Sequence, residues 1–600
     1  MTVFILGAGV MQIPAIRIAK ELGWRVAAAD GNPAAPGAAL ADLFFPVDLK
    51  DREGLLEAAR SLARDGGLEA VFTAGTDFSA SVAYVAGSLG LPGHSLEAAT
   101  KASDKPLMRA ALAAAGVPSP RFAEFRSARD LPAALKAASL AFPLVVKPAD
   151  SMGARGCRLV SSLPELEAAL ADALPHSRSG RAIVEEYLDG PEFSIDALVQ
   201  DGKVAVRGLA DRHVFFAPYF VELGHTMPSA FQKEVLDEVL RVFEAGVKAL
   251  GLTRGAAKGD IKYCPGRGRA YVGEIAARLS GGYMSGWTYP YASGIEVTRG
   301  ALELAAGLGP SDGAADRGWV SAERAFISIP GRAASVLGLR EAEAAPYVKN
   351  LFLRVAPGEA CVFPSNNVEK CGNVISQAPS REAAVSAAEG AVRGILVRLR
   401  PAEAATEAFL RGEGRVANPD GGAWPPEAFS PGPRLAAFLA ALPERAGAAE
   451  ADGLGRTGAE GRIVPEGLLV APLPEEFHKE AASLGPDWSG RGFLESAELA
   501  LRLGGARLAP EGAPALAGRF WRALARGGAQ AALYVLDTEA RGGGGAWGAS
   551  PARPWPPALF SSSWSAGSLP RKAPPFPPPS PAPLPPHHPP YRLPRRPPRR

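Results

Sequence analysis

Cysteine is scarce in this 600-residue chain: the four present, Cys157, Cys264, Cys361 and Cys371, lie far apart, and none forms a CxxC pair. That spacing excludes a disulfide framework and a compact zinc module as the organising principle. Long uncharged apolar runs are missing too. None reaches the roughly 18 residues that would mark a bilayer-spanning helix, so no membrane partner is expected. The early stretch FILGAGVMQIPAI has no basic region before it and no cleavage-like pattern after it. It reads as strand, glycine turn and helix rather than as a signal peptide. A cytoplasmic protein is the expectation.

A strong charge of either sign is also absent, but the net +3 is an average of unlike parts. Residues 551–600 hold eight Lys/Arg, no Asp or Glu, and 19 of the 56 prolines, which leaves the other 550 residues at −5. A mildly acidic body gives no electrostatic footprint for nucleic acid. The stretch from about 541 onward lacks the periodic apolar residues of a core and is expected to be a disordered Pro/Arg-rich tail.

What remains is a large apolar body, 47% hydrophobic, enough for about three to four domains. Residues 1–100 alternate short apolar runs (TVFILGAG, WRVAAAD, LEAVFTAGTD) with amphipathic helical stretches, the rhythm of a parallel α/β sheet. A helix from Lys105 stops at Gly116 before Pro118 and Pro120. Between 121 and 310 the strand candidates are PLVVKP, AIVEEYL, FSIDALV, AVRGLAD, AAKGDIKYC and RAYVGEIA, with helices over 163–174 and 230–250. Residues 320–400 read as a smaller α+β unit: AFISI, LFLRV and GNVIS as strands, and REAAVSAAEGAVRGILVRL as a helix. Residues 401–460 read as a linker or accessory segment, and 461–540 as a small α/β unit ending in the apolar run AALYVLDT.

Four segments carry chemistry. Gly7-Ala8-Gly9 follows the first strand, and Asp30 ends the second, as in dinucleotide-binding folds. However, Gln12 stands where the third glycine belongs, so the turn is read as structural. Lys147 ends an apolar strand and is followed by the small-residue loop Ser151-Met152-Gly153-Ala154-Arg155-Gly156. A point charge beside a loop of free backbone N–H groups suits a polyphosphate. The segment Ile183–Ser194 then brings Glu185 and Glu186 on a strand end, Leu188, a turn, and Glu192 entering a new strand. It offers backbone groups to a base edge and a carboxylate to ribose hydroxyls.

The fourth segment is the most informative. Lys258-Gly259-Asp260-Ile261-Lys262 runs into the turn Pro265-Gly266-Arg267-Gly268 and returns through Val272-Gly273-Glu274-Ile275. With the turn centred on Arg267, Asp260 and Glu274 face each other in an antiparallel hairpin. Paired carboxylates repel unless a cation lies between them, and hard oxygen ligands near a polyphosphate point to magnesium. Arg278 keeps the same face, beside the chain break Ser280-Gly281-Gly282.

In order and spacing, these segments resemble the ATP-grasp superfamily of carboxylate–amine ligases. Glu222-Leu223-Gly224-His225-Thr226-Met227-Pro228-Ser229, GDIK and Glu274-Ile275-Ala276-Ala277-Arg278 look most like its L-amino-acid ligase branch, and FPSNNVEKCGNVIS is similar to that branch's C-terminal lobe. The resemblance implies an α/β and α+β multidomain chain. A pre-ATP-grasp parallel α/β domain would cover 1–104, the ATP-grasp domain 105–310, and a C-terminal lobe 311–400. It implies Lys105 and Lys147 on the ATP phosphates under the loop Ser151, Met152, Gly153, Ala154 and Gly156. Glu186 and Leu188 would hold adenine with Glu185 alongside, and Glu192 ribose. Asp260 and Glu274 would hold Mg²⁺, for which Mn²⁺ could substitute. Arg278 would be the catalytic residue, and His225, Arg278 and Gly281 would meet substrate. Two departures stand out: Asp260 replaces the branch's common Glu, and Lys258 its frequent His.

The reaction so implied joins a small carboxylate, an amino acid or related acid, to an amine through an acyl-phosphate. Small molecules are then the expected partners, and a homodimer is compatible with the resemblance. The rivals are an ATP-grasp enzyme of purine or bicarbonate chemistry, a non-catalytic nucleotide-binding module, and a nicotinamide-dependent oxidoreductase resting on residues 7–12.

Overall fold

A computed structural model describes residues 1–311, 318–417, 422–441, 475–504 and 513–542. The tail expected beyond 541 lies almost wholly outside these residues, as does much of 401–540. The described residues belong to one compact unit, Met1–Gly545.

The N-terminal rhythm folds as read. Strands β1 (Thr2–Leu6), β2 (Arg25–Ala29), β3 (Leu43–Phe45) and β4 (Ala70–Phe72) form a parallel sheet in the order β3-β2-β1-β4. Every residue of β1 is buried, since helices cover both faces. A second, antiparallel sheet contains β5 (Phe122–Phe125), β6 (Leu144–Pro148), β7 (Arg158–Val160) and β8 (Ala182–Glu186), in the order β5-β8-β6-β7. The helix Leu163–His176 packs on it and begins at Ser162, whose hydroxyl accepts from Glu165 N.

The largest sheet has eight strands. It contains β9 (Glu192–Gln200), β10 (Lys203–Phe215), β11 (Val221–Met227), β12 (Arg254–Cys264), β13 (Arg269–Ala276) and β14 (Val320–Phe326). After β15 (Gly331–Leu337) come β16 (Val348–Leu353), the short β17 (Ala360–Cys361), β18 (Gly372–Ala378) and β19 (Leu396–Leu399). The order β13-β12-β9-β10-β11-β14-β18-β16 makes the ligand-facing strands and the C-terminal lobe one continuous sheet.

Two readings beyond residue 380 need correction. The helix expected over 381–399 is Arg381–Gly394, and ILVRL leaves it to form β19, paired with β15. Val397 and Leu399 are β-branched and apolar positions that fill the lobe core from a strand. The described part of 401–441, within the stretch read as linker or accessory segment, contains the helices Ala404–Leu410 and Pro433–Ala441 and the paired short strands Val416–Ala417 and Ala423–Trp424. The described part of 461–540 is helical throughout, as Glu475–Ser483, Phe493–Gly504 and Ala513–Gly542, the last broken at Gly527 and Gly528. AALYVLDT lies inside the last helix. Ala531 to Leu536 are all at most 1% exposed, and a helix buried on every side loses the periodicity that separates it from a buried strand.

These helices complete the lobe. Phe326, Ile329 and Leu399 share one apolar core with Phe409, Phe493, Trp521 and Leu533. Trp521 stacks on Phe493 at 5.8 Å with a 12° interplanar angle, and Arg398 Nε donates to Asp537 Oδ2 at 2.7 Å.

Candidate active site

The antiparallel sheet and the eight-stranded sheet enclose a cavity of about 530 Å³, within the range of small-molecule sites. The N-terminal domain adds Met11 and Gly75–Phe78 to its wall, and the C-terminal lobe adds Arg354, Asn367, Val368 and Lys370. Gly75 and Gly281 make that junction tight. Gly75 N donates to Leu279 O at 3.2 Å, and a Cβ on Gly75 would stand 3.1 Å from Gly281 Cα.

Of the residues that the resemblance assigns to ATP, metal or substrate, all but Gly156 line this cavity. Gly156 turns the loop base at φ +65°, and a Cβ there would meet His176 at 2.9 Å and Ala173 Cα at 3.1 Å, so it serves packing. The loop itself is closed down. Asn367 N donates to Gly153 O at 2.8 Å, and Gly153 and Ala154 both take left-handed backbone.

Lys147 on β6 and Glu185 on β8 sit diagonally on one sheet face, since Val145 pairs with Glu185 and Lys147 with Ile183. Lys147 Nζ donates to Glu185 Oε2 at 2.6 Å, and Arg109 Nε to Oε1 at 2.7 Å. Burial pushes the Glu185 carboxyl up, but the two cations outweigh it and hold it at about 2. Arg109 went unnoticed in the sequence. It is fully buried, and its Nη2 donates to Gly273 O at 2.6 Å. Its position four residues past Lys105, on one face of the helix Lys105–Ala114, was the available signal. Lys105 Nζ donates to Ser151 O at 2.7 Å.

Glu186 turns its carboxylate away, to Arg121 N at 3.1 Å and Arg267 Nη2 at 3.0 Å, so only its backbone is left for the cavity. Leu188 is buried in the wall beside it. Glu192 accepts from Arg212 Nη1 at 2.7 Å and Lys262 Nζ at 3.1 Å. Burial raises its carboxyl, and Lys262 and Arg212 bring it below the usual range. Arg212 was also missed; its Nε donates to Glu222 Oε2 at 2.9 Å.

Asp260 and Glu274 face each other across β12 and β13. Asp260 Oδ1 accepts from Ser194 Oγ at 2.7 Å, and its Oδ2 is paired with Lys258. Burial raises the Asp260 carboxyl, while Arg212 and Lys258 together hold it at about 2. Glu274 accepts no hydrogen bond from any described side chain. Its open carboxylate fits a hard divalent cation, whereas Asp260 is already engaged.

Arg278 is buried under the loop. Its Nε donates to Thr76 O and its Nη1 to Leu279 O, both at 2.8 Å, and Nη2 lies 3.4 Å from Met152 Sδ. At the far end, the His225 ring stands between two carboxylates, its Nδ1 2.8 Å from Glu323 Oε2 and its Nε2 3.5 Å from Glu222 Oε2. His225 Nε2 is buried without a hydrogen-bond partner. The glycine turn at 7–9 is filled by its own chain. The buried Gln12 side chain would stand 3.0 Å from a Cβ on Gly7, and Asp30 Oδ2 accepts from Ala8 N at 2.9 Å. A pyrophosphate has no room there, which removes the observation behind the oxidoreductase reading.

Residues 140–286 match the model of the ATP-grasp domain, and residues 325–400 that of the L-amino acid ligase C-terminal domain 2. Over these two regions the chain is similar to ATP-grasp ligases. Among its relatives, the D-alanine–D-alanine ligase of Pseudomonas entomophila (strain L48) is 33% identical over 174 residues, 27% of this chain and 53% of that protein. The alanine–anticapsin ligase of Bacillus subtilis is 26% identical over 254 residues, 39% of this chain and again 53% of that one. The matches therefore span about half the length of each of these two enzymes. Among solved structures, the L-amino acid ligase from Bacillus licheniformis superposes with a TM-score of 0.58 at 22% identity, covering 66% of this chain and 98% of that one. ATP-grasp ligases use ATP and Mg²⁺ as a family. No described helix is long and apolar enough to cross a membrane.

Proposed function

We propose that this chain, acting in the cytoplasm, joins the carboxylate of an amino acid or related small acid to an amine at the expense of ATP. The observation that carries this reading is a single cavity lined by the cations Lys105 and Lys147, by Arg278, and by His225 with Glu222. The substrate carboxylate oxygen attacks the γ-phosphorus and ADP leaves. The amine nitrogen then attacks the acyl carbon, phosphate leaves, and the nitrogen loses its proton.

The protein's share is positioning and charge. Lys105 and Lys147 neutralise phosphate oxygens, and the backbone of Ser151–Ala154 covers them. Arg109 and Glu185 fix Lys147 in place. The backbones of Glu186 and Leu188 receive the base, and Glu192 receives ribose hydroxyls once Arg212 and Lys262 yield. Glu274, with Asp260 opposite, would hold a divalent cation, which would add to the neutralisation of the phosphates. Arg278, pinned by Thr76 and Leu279, turns Nη2, which meets only Met152 Sδ, to the acyl-phosphate. Gly281 leaves space for that group, and the acidic surround of His225 suits the ammonium of an amino-acid substrate. The closed loop excludes water, which would otherwise hydrolyse the intermediate.

The test is ADP and phosphate release from Mg-ATP across amino acids offered singly and in pairs, with products identified by mass. Release that requires one pair and yields its amide establishes the reaction. Release with bicarbonate or a ribonucleotide amine instead would replace it with the rival chemistry.

A further inference from the structure

The two facing carboxylates on the cavity floor are unequal. Asp260 is used up within the protein: Ser194 Oγ donates to Oδ1 at 2.7 Å, the Lys258 ammonium is paired with Oδ2, and Arg212 Nη1 lies 3.6 Å from that same oxygen. Glu274, its partner across the strands, accepts no hydrogen bond from any described side chain and opens onto the cavity.

Lys258 reaches Asp260 because the two lie two residues apart on β12, hence on one face. Both side chains are only 12% exposed. A charge-assisted bond at that depth is strong, and breaking it would leave the buried ammonium only the more distant charges of Glu274 and Asp196. The neighbouring carboxylates are paired within the protein as well: Glu192 with Arg212 and Lys262, and Glu222 with Arg212 and with Lys370, the last 3.7 Å from Glu222 Oε1.

We infer that Lys258 is a resident cation of this site: it keeps Asp260, and the chain seats one divalent ion, on Glu274 and the nucleotide phosphates, where two free carboxylates would seat two. This rests on the ATP-dependent reading above. Lys258 then does permanently for Asp260 what a second metal would do, and the metal requirement falls on Glu274 alone.

The experiment is a Mn²⁺ titration of the full chain with saturating adenylyl imidodiphosphate, free Mn²⁺ being read by electron paramagnetic resonance. The native complex should bind one Mn²⁺ and the Lys258→Met complex two. Glu274→Gln should weaken the native Mn²⁺ site by about tenfold or more. Two Mn²⁺ on the native complex would overturn the inference, whether or not Lys258→Met folds, and so would one on a natively folded Lys258→Met chain. Calorimetry with the analogue separates the layers. Failure to bind nucleotide removes the ATP-dependent reading, whereas nucleotide binding with two Mn²⁺ removes the resident-cation inference alone.

Discussion

Asp260 and Glu274 oppose each other because β13 carries one residue more than β12 between the turn and the pair. From Cys264–Arg269 to Ile261–Val272 the strands pair in one register, and the register then shifts so that Asp260 meets Glu274. Gly273 is the extra residue, a β-bulge. A Cβ at Gly273 would stand 2.9 Å from Asp260 O, closer than a side chain tolerates.

Gly273→Ala should therefore push the strands apart where the two acids meet. The expected cost is about 1–3 kcal/mol of stability in urea denaturation, together with weaker Mg-ATP binding by calorimetry. An unchanged affinity would show that the bulge does not set the acid pair.

Arg278→Ala should lower kcat by about 10²–10³ while ATP affinity stays nearly intact, because the proposed role sets Arg278 against the acyl-phosphate rather than the base. The truncation also strips donors from the carbonyls of Thr76 and Leu279. Arg278→Lys, which keeps a donor and the charge, separates lost folding from lost chemistry. Full turnover in either variant would dismiss the assigned role.

Glu185 links acid stability to the phosphate site. Its folded pKa is depressed from 4.5 to about 2, so its contribution is complete above about 4.5 and drains away as pH falls through about 2, amounting to about 3 kcal/mol. Arg109→Ala removes the first of the two cations that hold it down. The variant should be destabilised by about 3–5 kcal/mol at neutral pH, with a shallower loss between pH 4.5 and 2 in denaturant titrations.

Trp521→Ala should cost about 3–5 kcal/mol, although the residue is remote from the cavity. Trp521 is 1% exposed and stacked on Phe493 within the lobe core. Thermal unfolding followed by tryptophan-independent circular dichroism is the check, with nucleotide binding expected to survive below the lowered transition.

The sequence was readable where local pattern and tertiary role coincide. The parallel rhythm of residues 1–100, the strand ending in Lys147 and the hairpin at 258–276 all follow from periodicity and turn residues. The acid pair was reached through two offsetting departures: the turn centres half a residue before Arg267, and the bulge at Gly273 restores the difference. Arg109 and Arg212 were harder to read because their partners, Glu185 and Glu222, lie 76 and 10 residues away; helix-on-sheet packing brings the first pair together and strand pairing the second. The run AALYVLDT was misread because its residues Ala531–Leu536, buried on all sides, carry no face to detect.

The lobe that starts at β14 draws its innermost aromatic from nearly two hundred residues downstream. During synthesis, its sheet will emerge with one apolar face still uncovered, and that face stays open until the helix Ala513–Gly542 has left the ribosome. Until then, the strands that present Glu323 to His225 belong to an unfinished body, so the wall that holds His225 is completed only after the strands that carry Lys147 and Glu185.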